Sequence, residues 1–149
     1  MKDLYQSKYL DEILLRINKL SPDSQRLWGK MNVSQMLAHC SLSMETALGD
    51  KFYPQLMIGK LLGRFMKFTI LKEKSFTKNS PTNPSFVVTD LKEFTQEKER
   101  LIELTKRFSS SGEEKCTHNP HSFFGNLSPS EWGMLMYKHL DHHLRQFNV

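Results

Sequence analysis

Residues 128–147 read SPSEWGMLMYKHLDHHLRQF. The stretch opens as a helix opens. Ser128 can cap free backbone N–H groups, Pro129 suits the first helical position because its missing N–H would have had no partner there, and Glu131 sits where its carboxylate reaches back to the cap. At 100° per residue from Trp132, His139 falls at about −20° and His143 at about +20°. Met136 lies at about +40°, Phe147 at about +60° and Leu135 at about −60°. Two histidines therefore occupy the middle of the stripe expected to face a core. His142 falls at its edge, and Asp141 and Arg145 are expected to point outward.

A histidine pair spaced i, i+4 puts two imidazoles on one helix face at a separation that a single metal ion can bridge. Burying them without partners is costly. Either a shared divalent cation satisfies both, or each ring hydrogen-bonds a carbonyl or a neighbouring side chain. His39 is the natural third candidate, because it is a histidine on another clearly helical segment. It falls beside that helix's apolar face with Ser43, which also suits a merely flanking polar residue. His118 and His121 lie in the connector before the last helix, where His121, next to Phe123 and Phe124, could close over a site.

Outward from this helix, the pattern predicts an all-α chain. Apolar residues Leu10, Ile13, Leu14, Ile17 and Leu20 recur at helical spacing within a first helix from Leu4 to Leu20, which Ser21-Pro22-Asp23 stops. A second helix is predicted from Val33 to Leu48, capped by Asn32 with Gln35 reaching back and ended by Gly49, with Val33, Met36, Leu37, Cys40, Met44 and Ala47 as its inner face. A third, from Pro54 to Leu71, would pack through Leu56, Met57, Leu61, Leu62, Phe65 and Phe68, with Gly59 and Gly63 bending or breaking it. Residues 79–84, NSPTNP, form a loop. A fourth helix is predicted from Asp90 to Phe108, with Leu91, Phe94, Leu101, Leu104 and Phe108 inward, followed by a long connector from Ser109 to Leu127. The expected architecture is an antiparallel four-helix bundle with one extra short or irregular helix, all within a single domain spanning residues 1–149.

Composition agrees. At 38% hydrophobic and 25% charged residues the chain is globular and not disordered. The net charge is +5, with a local excess at Lys60, Arg64, Lys67, Lys72, Lys74 and Lys78 opposed by Glu73. That excess reads as a solvated face or, more sharply, as a docking surface for anionic lipid or nucleic acid. The aromatic and basic alternation of RNA modules is missing, so nucleic acid is not expected as a partner. The two cysteines, Cys40 and Cys116, make neither a disulfide framework nor a paired-Cys metal site. Cys40 falls within an apolar stripe and reads as a small buried side chain. The opening residues show no apolar signal-type stretch and no segment is long enough to span a bilayer, so the expected compartment is the cytoplasm.

The stretches RLWGKMNVSQMLAHC (residues 26–40) and HSFFGNLSPSEWGMLMYKHLDHHLRQF (residues 121–147) resemble the DinB-like superfamily of metal-binding four-helix bundles, in an uncharacterised branch. The resemblance covers nearly the whole chain in order and length. It implies a bundle that is often a homodimer and holds one divalent metal ion, nickel or zinc, on three histidines. His39, His139 and His143 match those positions. His142 matches the first histidine of the HH pair and is not expected to be a ligand. Gln146 resembles the polar residue that follows the pair, which implies contact with a ligand or with substrate; His121 and His142 are candidates for the same supporting role.

Three imidazoles would leave the ion doubly charged with a free position, which is the pattern of catalytic sites rather than of closed structural ones. Relatives in that superfamily include transferases and isomerases that use low-molecular-weight thiols. The expectation is a metal-dependent transferase or hydrolase acting on a small molecule, with the loop from Cys116 to Gly125 helping to enclose the site. No carboxylate stands out as a general base: Glu45 and Asp141 are expected to project away, and Glu131 is occupied in capping. The alternative is a helical stress or interaction protein, with or without a metal, that turns nothing over.

Overall fold

The computed structural model describes residues 2–70, 72, 75–80 and 82–149. Among these residues five α-helices follow one another: α1 (Ser7–Lys19), α2 (Val33–Leu48), α3 (Met57–Met66), α4 (Phe94–Ser111) and α5 (Pro129–Gln146). Single 3-10 turns occupy Lys67–Thr69, Pro84–Phe86 and Glu113–Lys115, and no strand is present among the described residues. None of the described helices is long and apolar enough to cross a membrane.

The two helices that carry the histidines begin and end where their side chains dictate. At α2, Asn32 Oδ1 accepts from the Gln35 backbone N–H while the Gln35 side chain accepts from that of Asn32. Gly49 closes the helix in the left-handed region at φ 82°. At α5, Ser128 and Glu131 form the same reciprocal pair behind Pro129. Each box satisfies two N–H groups that have no partner inside the helix.

α2 packs against α4 and α5, and α1 packs against the same two helices. Between them lies a core that includes Ile13, Ile17, Met36, Leu37, Met44, Leu101, Phe108, Trp132, Leu140 and Leu144. Arg16 of α1 reaches α5, pairing with Asp141 at 2.8 Å and donating to the Val149 carbonyl at 2.9 Å.

Several boundaries depart from the sequence reading. α1 starts at Ser7, because Asp3 and Leu4 serve another purpose: the Leu4 N–H bonds the Gly133 carbonyl at 3.1 Å and Leu4 is fully buried. α4 starts at Phe94, with the Glu93 carboxylate accepting from the backbone N–H groups of Thr95 and Gln96. Leu91 thus precedes the helix and is 93% exposed instead of inward. α4 runs on to Ser111, and the connector carries the Glu113–Lys115 turn and a tight reversal pairing His121 with Gly125.

The largest correction concerns α3. Its expected inner face is turned to solvent, with Met57, Leu61 and Phe65 each more than 70% exposed. Gly59 and Gly63 neither bend nor break the helix; they are its buried residues. The backbone of Phe123 lies against them so closely that a Cβ on Gly59 would stand 2.7 Å from the Phe123 carbonyl oxygen, and one on Gly63 would collide with it. Gln55 and Leu56 fasten the same contact, donating to the carbonyls of Phe123 and Ser122 at 3.0 and 2.9 Å. The expected end of this helix, Leu71, lies outside the described residues, as do Glu73 and Lys74 of the basic segment.

Candidate metal centre

α2 and α5 bring three imidazoles to one point. Ligand atoms of His39, His139 and His143 all lie within 4.8 Å of one another, and the Nε2 atoms of His39 and His139 are 3.1 Å apart. His39 and His143 are buried and His139 keeps partial exposure. On α5 the pair arises from the i, i+4 spacing; on α2, His39 lies next to the buried Cys40, and its ring meets His139 of α5.

The hydrogen bonds around the rings decide which nitrogens face inward. His39 Nδ1 lies 2.8 Å from the Phe86 carbonyl, which can only accept, so this nitrogen carries the proton and Nε2 presents a lone pair. His143 is fixed by a longer relay. The Trp28 carbonyl accepts from Gln146 Nε2 at 2.7 Å, which orients the amide and leaves Oε1 to accept from His143 Nδ1 at 2.9 Å. His143 Nε2 is then also a lone pair. Locking the distal nitrogen through a carbonyl or amide is how protein histidines are held as metal ligands.

Charge agrees with geometry. Burial pushes all three histidines below their ordinary 6.5: His39 against the opposing effect of its Phe86 bond, His139 well below, with His143 and His39 adding to the effect, and His143 down to about 3. The rings are neutral at neutral pH, the form in which imidazole coordinates. Nitrogens around a tetrahedral zinc, each about 2.0–2.1 Å from the ion, stand roughly 3.4 Å apart. The inward lone pairs of His39 and His143, with a ring nitrogen of His139 beside them, make a donor set that could hold a divalent cation. Without one, a neutral His139 satisfies His39 by donating its Nε2–H across the 3.1 Å contact.

A family model for proteins of unknown function, DUF1569, matches residues 2–149. The chain belongs to that family. No curated protein and no solved structure matches it.

In this DUF1569 chain the remaining candidate residues take distinct places. Gln146 is buried and bonds His143 directly. His142 stays outside the triad: its ring packs on Trp28 and Phe76, with centroids 5.7 and 6.1 Å away. His121 is in the 121–125 reversal, its ring tilted against Trp132 with centroids 5.4 Å apart and its Nδ1 accepting from the backbone N–H groups of Phe123 and Phe124 at 3.0 and 3.1 Å. Burial pushes it down to about 4. Cys40 is fully enclosed, its thiol 3.7 Å from Met36 Sδ, and burial pushes its pKa up.

Asp141 corrects the helical wheel. It is buried, not outward, and held by Arg16 at 2.8 Å and Arg145 at 2.9 Å. A wheel drawn for one helix has no means of showing a guanidinium arriving from α1.

Two contributors escaped the sequence reading, Phe86 and Trp28, because each acts through its backbone carbonyl and a carbonyl leaves no residue signature. Their loops did carry hints. Asn83 caps the Pro84–Phe86 turn by accepting from Ser85 N–H at 3.0 Å, a use of the Asn-Pro pair beyond mere loop. Gly29, at φ 81°, bends the chain after Trp28; a Cβ there would stand 2.5 Å from Gln146 Nε2. The Leu27 N–H also donates to the Gln146 carbonyl at 2.7 Å, so residues 27–29 wrap the end of α5 and grip Gln146 from both sides.

Proposed function

We propose that this protein is a metal-dependent enzyme of the DinB-like kind, an antiparallel four-helix bundle of α1, α2, α4 and α5 that holds one nickel or zinc ion on His39, His139 and His143. The observation that carries the reading is the convergence of three imidazoles, two of them with Nδ1 tied to an acceptor so that Nε2 faces the common centre. An ion bound there would supply a Lewis acid with a position left for water or a thiol. Phe86 and Gln146 hold the rings of His39 and His143 in register.

The placement of the carboxylates supports one reaction class. Glu45 is paired with Arg100 at 2.6 Å and Lys51 at 2.8 Å, Glu131 with Lys67 at 2.8 Å, and Asp141 with two arginines. Each is committed to a cation. A transferase using a low-molecular-weight thiol as cosubstrate needs no protein carboxylate as base, because metal coordination itself favours the thiolate. Metal-bound water is acidified in the same way, so hydrolysis of a small molecule is the alternative reaction at the same site.

The same commitment of carboxylates supports the second reading, a helical protein whose three histidines bind a metal without turnover. Metal analysis of the purified protein and of His139→Ala addresses the site: about one ion per chain, lost in the variant, is expected. Thiol consumption with a panel of electrophiles and epoxides addresses turnover. A metal-bound protein with no metal-dependent rate would favour the second reading. A wild-type protein that takes up neither nickel nor zinc would remove both metal readings.

A further inference from the structure

α3 is amphipathic in the reverse of the usual sense. A helix on a protein surface normally turns its apolar stripe to the core and its charges to water. Here the glycines face the protein and the large apolar side chains face away. Measured from Gly59 at 100° per residue, Gly63 falls at about 40°, whereas Met57, Leu61, Phe65 and Ile58 span about 160° to 260°. Their exposures are 78, 72, 72 and 57%. Phe68, in the turn that continues the helix, is 52% exposed. A contiguous patch of this kind on a protein surface marks an interaction site.

The charges around the patch specify the partner. Lys60 and Arg64 are exposed on one shoulder of the apolar arc, and exposed Lys72 lies over the Phe68 ring at 4.5 Å. Lys67, on the same flank, is drawn back to Glu131 and the Asn126 carbonyl. Residues 57–72 contain no acidic residue, and Glu73 is the one acidic residue between Lys60 and Lys78. A second copy of the chain would bring an identical cationic shoulder to the contact, and like charges would meet beside the apolar seam. A bilayer carrying anionic headgroups offers both complements at once: hydrocarbon for the phenylalanine and leucine side chains, and negative charge for the flanking cations.

We propose that α3 is an interfacial anchor, lying in the plane of an anionic lipid surface with Met57, Leu61 and Phe65 inserted and Lys60, Arg64 and Lys72 at the headgroups. The glycine seat on Phe123 couples this anchor to the body of the protein without using any of the inserted side chains.

Sedimentation with vesicles of phosphatidylcholine, alone and with about one-third phosphatidylserine, tests this. The full-length protein should pellet with the anionic vesicles and weakly with neutral ones. Each flanking cation near an anionic surface accounts for about a fivefold change in partitioning, so Lys60→Glu with Arg64→Glu should reduce binding by more than tenfold. Leu61→Glu with Phe65→Glu should reduce it at least as much, with helix content unchanged because both positions are exposed. His139→Ala should bind vesicles like wild type, which separates this anchor from the metal centre. Equal binding to both vesicle types, or none to either, overturns the proposal. So does a dimer in solution that Leu61→Glu and Phe65→Glu dissolve, a result that would give the face to a second copy.

Discussion

His143 donates its Nδ1–H to Gln146 Oε1 at 2.9 Å, and the same amide donates to the Trp28 carbonyl at 2.7 Å. The ring therefore owes its orientation to a main-chain carbonyl more than a hundred residues away in sequence. Gln146 can serve in both directions because an amide has an acceptor and donors on one plane, which neither Leu nor Glu at this position would reproduce.

Replacing Gln146 by Leu keeps the volume and removes the relay. Metal affinity measured by competition with a chromophoric chelator should fall by roughly 10–100-fold, the range found for such supporting partners. An unchanged affinity would show that the amide packs beside His143 without steering it.

His142 and His143 are adjacent, yet only one belongs to the cluster. His142→Ala should leave the metal content of the purified protein at the wild-type level, while His143→Ala should lose the bound ion. Elemental analysis of the two variants side by side distinguishes them. Loss of metal in His142→Ala would mean that the ring lying against Trp28 and Phe76 swings inward to coordinate.

How much of this was legible in sequence depends on whether the deciding interaction was local. The caps of α2 and α5 were readable because Asn32 with Gln35, and Ser128 with Glu131, act over three residues. The histidine pair was readable because helical periodicity alone puts His139 and His143 on one face. Features set by distant chain were not readable. Asp141 is buried because Arg16 crosses from α1 to meet it. The inner face of α3 was misjudged because periodicity locates an apolar stripe without saying what it faces. Gly59 and Gly63 decide that, by admitting the Phe123 backbone where any side chain would block it.

Gly63→Ala tests that seat. In an exposed helix the change would stabilise by up to about 1 kcal/mol. Here the added methyl meets a backbone carbonyl that has no rotamer to escape through, and overpacking of this kind costs about 1–3 kcal/mol. A lower thermal midpoint is expected, with proteolysis of the 57–72 segment accelerated. A midpoint above wild type would mean that α3 does not rest on Phe123 in solution.

Acid should loosen the same region through His121. Its Nδ1 accepts two backbone N–H groups, from Phe123 and Phe124, and protonation there breaks both bonds. Burial holds the ring down at about 4, whereas in the unfolded chain it titrates near 6.5. Below pH 6.5 the unfolded state therefore binds more protons than the folded one, and stability declines as the pH falls toward 4. For this ring the slope is at most about 1.4 kcal/mol per pH unit. Burial also raises Glu12, Glu45 and Glu131, but their lysine and arginine partners outweigh it and hold them below the ordinary 4.5, so their contribution is lost only at lower pH. His121→Asn retains a side-chain acceptor and does not titrate. Urea unfolding of the metal-free protein between about pH 7 and pH 4.5 should show wild type losing stability faster than His121→Asn. If the two curves run parallel across that interval, the ring is not buried neutral against the 123–124 backbone, and the reversal that seats α3 must be held by something else.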